Sequence, residues 1–217
     1  MHIDDAILCS TPAGIGALAA GAAAAAVGVA VGLRRLDHER IPRAAMLAAA
    51  FFVASTIHVP LGVAKAHLVL TGLLGLVLGW TAFPAVLVAL ALQAVFLGYG
   101  GFLTLGVNTL VMAGPAVVCH YALRRAVRCD VSAIAAAGGF AAGAAGTLLG
   151  ALLLAMVLAW TGEAFVLQAR VAFAAHLPLA LVEGCVTAGA VALLRKVRPE
   201  LLQAPLWTPS RLEVSDA

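Results

Sequence analysis

Apolar runs of membrane-spanning length alternate with short polar segments along this chain. A helix needs about 20 apolar residues to cross the hydrocarbon core of a bilayer. By that criterion the pattern predicts seven spans, at approximately 13–33, 44–57, 67–80, 84–97, 106–123, 131–160 and 171–194. We therefore expect an all-α polytopic membrane protein with about seven transmembrane helices. Residues 1–198 form the predicted integral membrane domain, and residues 199–217 form a polar C-terminal tail in the cytoplasm.

The overall composition supports a membrane protein and argues against a nucleic-acid-binding one. Of the 217 residues, 64% are hydrophobic and 11% are charged, and the mean hydropathy is +1.08. Soluble domains contain roughly 45–50% apolar residues. The net charge of +3 comes from Lys and Arg in short connecting segments, where such residues set membrane topology. We expect membrane lipid, and no nucleic acid, as a partner.

The distribution of basic residues predicts the orientation in the membrane. Placing the N-terminus outside puts Arg34, Arg35, Arg40, Arg43, Arg124, Arg125, Arg128, Arg195, Lys196, Arg198 and Arg211 in inner segments. Only Lys65 and Arg170 then remain outside, as the positive-inside rule requires. The predicted location is the plasma (inner) membrane, multi-pass, with the C-terminus cytoplasmic. No basic residue precedes the first span, so we expect the N-terminus to be retained rather than cleaved as a signal peptide.

The first two residues form a potential metal chelator. The α-amine of Met1, the deprotonated amide nitrogen of His2 and the His2 imidazole can all reach one ion through small chelate rings. Planar nitrogen donors are typical of Ni(II) or Cu(II) sites. On the predicted topology, His58 and His67 bracket a short outer loop on the same side as His2. His67 can then supply a fourth nitrogen, and His58 is a possible second-shell or entry residue.

Two further polar residues have more than one interpretation. Asn108 either hydrogen-bonds a ligating imidazole and fixes its tautomer or simply caps a helix. Glu183 lies inside a predicted span, where a charged side chain is costly. It belongs to a metal or proton path, or it pairs with His176 or with another helix.

Other functional classes find less support in the sequence. No nucleophile motif or HExxH metal-binding pattern is present, so we expect no enzymatic activity and no cofactor. The absence of a P-loop motif means that ATP hydrolysis, if used, must come from other subunits. The alternative is an ion-coupled secondary metal carrier that acts alone, which would require paired intramembrane charges or an inverted repeat. Glu183 is the main intramembrane charge, and no repeat is evident.

Three segments resemble one known family. They are MHIDDAIL at the N-terminus, AHLVLTGLLGLVLG around His67, and FPAVLVALALQAVFLGYGGFLTLGVNTLVMAGP at 83–115. They are similar to the CbiM/NikM family, the substrate-binding (S) components of energy-coupling-factor nickel and cobalt importers.

The resemblance implies a fold, a ligand set and partners. The fold is a six-helix S-component bundle with an extra N-terminal helix. The Ni(II) or Co(II) ligands map to Met1, His2 and His67, and the metal is a transported substrate. The implied partners are a transmembrane coupling protein, a pair of cytoplasmic ATPases and, in many systems, a small accessory membrane subunit.

Overall fold

The computed structural model describes residues 2–61 and 64–203, and for residues 58–61, 64–66 and 203 it describes the backbone alone. Within these residues the chain is a helical bundle with one short β-hairpin. The elements are α1 (Asp5–Leu8), α2 (Pro12–Arg34), α3 (Ile41–Ala54), β1 (His58–Leu61), β2 (Ala64–His67), α4 (Thr71–Leu78), α5 (Ala82–Leu97), α6 (Leu105–Val127), α7 (Ser132–Thr161), α8 (Val166–Val197) and α9 (Glu200–Gln203). Short 3₁₀ turns at Gly79–Thr81 and Glu163–Phe165 precede α5 and α8.

The prediction of an all-α polytopic membrane protein is confirmed. Each predicted span overlaps one of the helices α2 to α8. Five helical segments are long and apolar enough to cross a membrane: Pro12–Arg34, Thr71–Leu97, Leu105–Val127, Ser132–Thr161 and Glu163–Val197. The second of these joins α4, its 3₁₀ turn and α5, and α3 is a shorter apolar helix. The tail predicted at 199–217 is described only as far as 203, and the rest lies outside the described residues.

The structure corrects the predicted second and third spans. The span at 44–57 is the helix α3, which begins at Ile41 and ends at Ala54. The span at 67–80 begins too early, because His67 is the last residue of β2 and α4 starts at Thr71. Strands β1 and β2 pair antiparallel, so the loop expected at 58–66 is largely a hairpin. A hydropathy pattern cannot show whether the helix starts at His67 or at Thr71, because residues 68–70 are apolar whichever conformation they adopt.

Glycines allow the central helices to approach one another closely. A Cβ atom on Gly72 would lie 2.3 Å from the carbonyl oxygen of Ala142 in α7, and one on Gly75 would lie 2.0 Å from that of Ala116 in α6. A Cβ atom on Gly143 would lie 2.3 Å from the carbonyl oxygen of Glu183 in α8. Small residues at such contacts are typical of membrane helix packing. They bring α4 into the centre of the bundle, between α6, α7 and α8.

The bundle has two chemically different ends. At one end, the last turns of α6 and α8 carry a basic cluster of Arg124, Arg125, Arg195 and Lys196. The Arg195 side chain donates to carbonyl oxygens at and just beyond the end of α6, those of Val127, Cys129 and Asp130. The start of α2 lies at the opposite end, where Thr11 Oγ1 donates to the carbonyl oxygen of Thr161 at 2.8 Å. The N-terminal residues and the end of β2 lie at this second end, away from the basic cluster.

Candidate metal-binding site

Asn108 holds the N-terminal segment against the first turns of α6. The backbone N–H of Ile3 donates to Asn108 Oδ1 at 3.0 Å, and Asn108 Nδ2 donates to the Ile3 carbonyl oxygen at 3.1 Å. The amide side chain thus pairs with the main chain as a neighbouring strand would. Ile3 and Asn108 are both buried. This pairing fixes the backbone directly after His2.

Asp5 makes a second attachment between the same segments. Its Oδ1 accepts from the Thr104 backbone N–H at 2.9 Å and from the Thr104 hydroxyl at 2.8 Å, and its Oδ2 accepts from the Leu103 N–H at 3.4 Å. These groups lie at the N-terminus of α6, where free N–H groups and the helix dipole favour a carboxylate. A side chain at Gly101 would overlap the Asp5 carboxylate, because its Cβ would lie about 2.1–2.2 Å from those atoms.

These attachments bring three rings together. The centroids of the His2 and His67 imidazoles are 4.9 Å apart, and the rings are stacked at 26°. Tyr99 lies beside both rings, with its centroid 5.7 Å from His2 and 6.5 Å from His67. Two imidazoles that are distant in sequence therefore meet at the end of the bundle opposite to the basic cluster.

The His67 ring is buried, and its tautomer follows from its contacts. Nδ1 lies 3.1 Å from the Leu68 carbonyl oxygen. A carbonyl oxygen only accepts, so Nδ1 carries the ring proton and Nε2 carries the lone pair. A metal-binding His commonly has this arrangement, with the second nitrogen donating to a backbone carbonyl.

Burial, with smaller contributions from the N-terminal amine and from His67, lowers the pKa of His2 to about 2. The His2 imidazole is therefore neutral at physiological pH, and a metal ion does not have to displace a proton from it. Its Nε2 atom is buried and has no hydrogen-bond partner among the described residues.

Glycine at position 100 keeps space beside the other nitrogen of His2. Gly100 has φ +72°, which favours glycine. A Cβ atom there would lie 2.9 Å from Asn108 Nδ2 and 3.7 Å from His2 Nδ1. The turn therefore presents bare backbone to the N-terminal segment.

No group of three or more His, Cys, Asp and Glu side chains within the described ranges is arranged to hold a metal ion. A metal ion bound between His2 and His67 would therefore need donors besides these two side chains, such as groups of the main chain or of the N-terminus. This agrees with the donor chemistry of the predicted Met1-His2 chelator, although Met1 itself lies outside the described residues.

The remaining predicted site residues take different positions. His58 lies directly opposite His67 in the hairpin, with the two residues paired across β1 and β2. Its side chain is outside the description. Neither interpretation of Asn108 is seen: its amide binds the main chain of Ile3 rather than an imidazole, and the residue before α6 is Thr104, so Asn108 lies within the helix. A side-chain amide satisfies both polar groups of a buried peptide more completely than it satisfies one ring nitrogen.

Sequence reasoning missed Tyr99, Asp5 and Thr104. Tyr99 stands within the glycine-rich turn 98–101, and an aromatic residue among glycines next to a candidate site is a usable signal. In the sequence, Asp5 is an acidic residue near the N-terminus, and nothing beside it indicates a partner. Its partner Thr104 stands immediately before α6, where a polar residue is typical of a helix start.

The two interpretations of Glu183 are also resolved in part. Its carboxylate accepts hydrogen bonds from the backbone N–H groups of Val69 and Leu70, at the start of α4. The pairing is therefore with another helix. His176 instead bonds within its own helix, with Nδ1 2.7 Å from the Ala172 carbonyl oxygen.

Comparison with known proteins identifies the family. The family model for the cobalt uptake substrate-specific transmembrane region, CbiM, matches residues 2–201. The chain belongs to the CbiM family. It is 41% identical over 204 residues to a putative metal transport protein of Haemophilus influenzae, covering 93% of this chain and 97% of that protein. It is 36% identical over 172 residues to the cobalt transport protein CbiM of Sorangium cellulosum, covering 74% of this chain and 76% of that one.

A solved structure supports the same assignment. The crystal structure of a truncated transition metal transporter superposes with a TM-score of 0.71 at 26% identity, over 92% of this chain and 99% of that one. The resemblance found in the sequence is therefore confirmed. The chain is a multi-pass membrane component of cobalt or nickel uptake.

Proposed function

We propose that this protein is the substrate-specific subunit of an energy-coupling-factor ABC importer, which captures Ni(II) or Co(II) at the outer face and delivers it to the cytoplasm. The observation that carries the proposal is the stacking of His2 on His67, 4.9 Å apart, next to an N-terminal segment bound by Asn108 and Asp5. Family membership supports the substrate class.

The proposed ligands are four nitrogens. The Met1 amine, the His2 amide and the His2 imidazole close two small chelate rings around the ion, and the His67 imidazole supplies the fourth donor. Such a donor set favours planar coordination, which is typical of Ni(II) and Cu(II) sites. The amine and the amide must lose protons, so metal binding competes with protonation.

Transport in this proposal needs subunits that hydrolyse ATP. A transmembrane coupling protein and a pair of cytoplasmic ATPases would act at the basic end of the bundle, together with a small accessory membrane subunit where one is present. Their work would shift the bundle between a state that binds the ion and a state that releases it inward. No catalytic chemistry is assigned to this chain.

The experiment is nickel calorimetry on purified variants. Changing His2→Ala, or acetylating the Met1 amine, should abolish high-affinity binding, because each removes part of the chelate. Changing the exposed His38→Ala, in the segment between α2 and α3, is the matched control and should leave binding unchanged. Full nickel binding by the acetylated or His2→Ala chain would reject the ligand set. Co-purification of an ATPase with the tagged protein would distinguish a coupled importer from a carrier that acts alone.

A further inference from the structure

Glu183 is a carboxylate in the interior of an apolar helix bundle. It lies in α8, and its side chain is fully buried. An ionised group in such a place must be compensated by a partner. Within the described ranges no Lys, Arg or His forms an ion pair with it. Its compensation comes from the main chain of another element.

The compensating groups are two consecutive backbone N–H donors. The Val69 N–H donates to Glu183 Oε1. The Leu70 N–H donates to both carboxylate oxygens, and its nitrogen lies 3.0 Å from each. Leu70 is the residue that immediately precedes α4, so the carboxylate occupies the N-terminus of that helix. The free N–H groups and the dipole of α4 stabilise a negative charge there. The interaction is a helix cap supplied by a distant residue.

The capped turn has a backbone conformation that requires support. Leu70 has φ +55°, and it is the one non-glycine residue with positive φ in the described part of the chain. A leucine adopts this conformation at an energetic cost, so surrounding contacts must impose it. The two bonds to Glu183 supply those contacts. The turn in turn sets the angle between β2 and α4.

The turn also fixes the position of the His67 ring. Only Leu68 separates His67 from Val69, and the Leu68 carbonyl oxygen accepts a hydrogen bond from His67 Nδ1–H. The Glu183 carboxylate fixes the backbone of residues 69 and 70, and the Leu68 carbonyl group next to them fixes the imidazole of His67. On the other side, α7 packs tightly on the backbone of Glu183 at Gly143. The anchor is therefore rigid.

We propose that Glu183 is the positioning residue for His67: by capping α4 at Val69 and Leu70 it holds the imidazole where it meets His2. This inference rests on the proposed function, since it assumes that His67 binds the metal. Glu183 does not touch the metal in this arrangement. It acts entirely through the turn 68–70.

A double-mutant cycle tests this role. The variants are Glu183→Gln, His67→Ala and the double substitution, each titrated with Ni(II) and recorded by visible absorption and circular dichroism of the bound ion. Gln keeps the volume of Glu but loses the charge and one acceptor oxygen. The control is Thr187→Val, one turn further along α8, where the buried hydroxyl has no hydrogen-bond partner among the described residues.

We expect Glu183→Gln to weaken nickel binding at least tenfold and to shift the spectrum toward that of His67→Ala. In the His67→Ala background the same substitution should not change nickel affinity further, because Glu183 affects the metal only through the position of His67. Thr187→Val should match the wild-type protein. Unchanged affinity in Glu183→Gln, or an equal loss in both backgrounds, would overturn the positioning role.

Two further measurements, amide exchange and the nickel affinity of His67→Ala, test the role even if Glu183→Gln does not fold. Linkage requires that metal binding stabilise the capped turn as much as the cap stabilises metal binding. In the wild-type protein Ni(II) should therefore raise amide-exchange protection at Val69 and Leu70, and in His67→Ala it should not. Equal protection with and without nickel overturns the role even if Glu183→Gln fails to fold. Wild-type nickel affinity in His67→Ala would instead reject the proposed ligand set, and the positioning role with it.

Discussion

Asn108 acts as a substitute peptide for the N-terminal segment. Its amide bonds both polar groups of Ile3 at 3.0 and 3.1 Å, in a site from which water is excluded. A buried peptide group without a partner costs free energy, and this residue removes that cost for the residue after His2. The geometry of the proposed chelator therefore depends on a side chain that is not itself a ligand.

Substituting Asn108→Ala should loosen the N-terminus and weaken nickel binding. The change leaves the N–H and C=O of Ile3 buried without partners, at about 1–3 kcal/mol for each group. Since about 1.4 kcal/mol is a factor of ten in affinity, we expect nickel binding to fall tenfold or more by calorimetry. Thr109→Val is the matched control, because its hydroxyl bonds only the Leu105 carbonyl within α6. Equal affinities in the two variants would contradict this role of Asn108.

At the scale of elements, the N-terminal segment and α6 are joined through a carboxylate cap. Asp5 accepts from Leu103 and Thr104 at the start of α6, while Asp4 makes no side-chain bond to α1 and is exposed. The two neighbouring aspartates therefore differ in structural role, although the sequence presents them as a pair.

Asp5→Ala should destabilise the folded protein by about 1 kcal/mol, the usual value of a helix cap, because it removes the acceptor oxygens. For a chain of this size, that corresponds to a fall of about 2–4 °C in the melting temperature. Thermal unfolding in detergent measures it, and Asp4→Ala serves as the control that should change little. A larger effect from the Asp4 substitution would show that the cap is not at Asp5.

The glycines of α4 determine how closely that helix packs. Gly75→Ala would place a methyl group 2.0 Å from the Ala116 carbonyl oxygen, so α4 and α6 must separate. Overpacking of this kind costs about 1–3 kcal/mol. In Gly189→Ala, on α8, the new methyl group meets no atom within 4 Å, and we expect unchanged or slightly raised stability. Melting temperatures that fall equally in both variants would contradict the close α4–α6 contact.

At the scale of the whole molecule, the two ends of the bundle differ in chemistry. His2, His67 and Tyr99 lie at one end, and Arg195 binds the segment around Cys129 at the other. The positive-inside rule then predicts that the histidine end faces outward. The orientation follows from charge, and the separation of the two ends follows from the fold.

Cysteine labelling tests this orientation. Cys9 is exposed near the histidine end, and Cys129 lies at the basic end. In single-cysteine variants on intact spheroplasts, a membrane-impermeant maleimide should label Cys9 without permeabilisation. Cys129 should react only after the membrane is opened. The reverse pattern would invert the predicted topology.

The sequence by itself determined the fold class, the family and the approximate place of each apolar helix, but not the bounds of the second and third. Membrane crossing depends on the apolar length of each segment, which is a local property, and the segments around His2, His67 and 83–115 carried the resemblance. Pairing of His2 with His67 was predicted from chelate chemistry and that resemblance, and the structure places the two rings in contact.

Only the tertiary structure decided the hairpin before α4, the bonds from Asn108 to Ile3 and the cap that Glu183 forms on α4. The contacts of Asn108 and Glu183 join groups far apart in the chain, and all three features satisfy backbone N–H or C=O groups that a hydropathy pattern does not represent. Such groups need a partner once they are buried, but which side chain supplies it depends on how the helices pack.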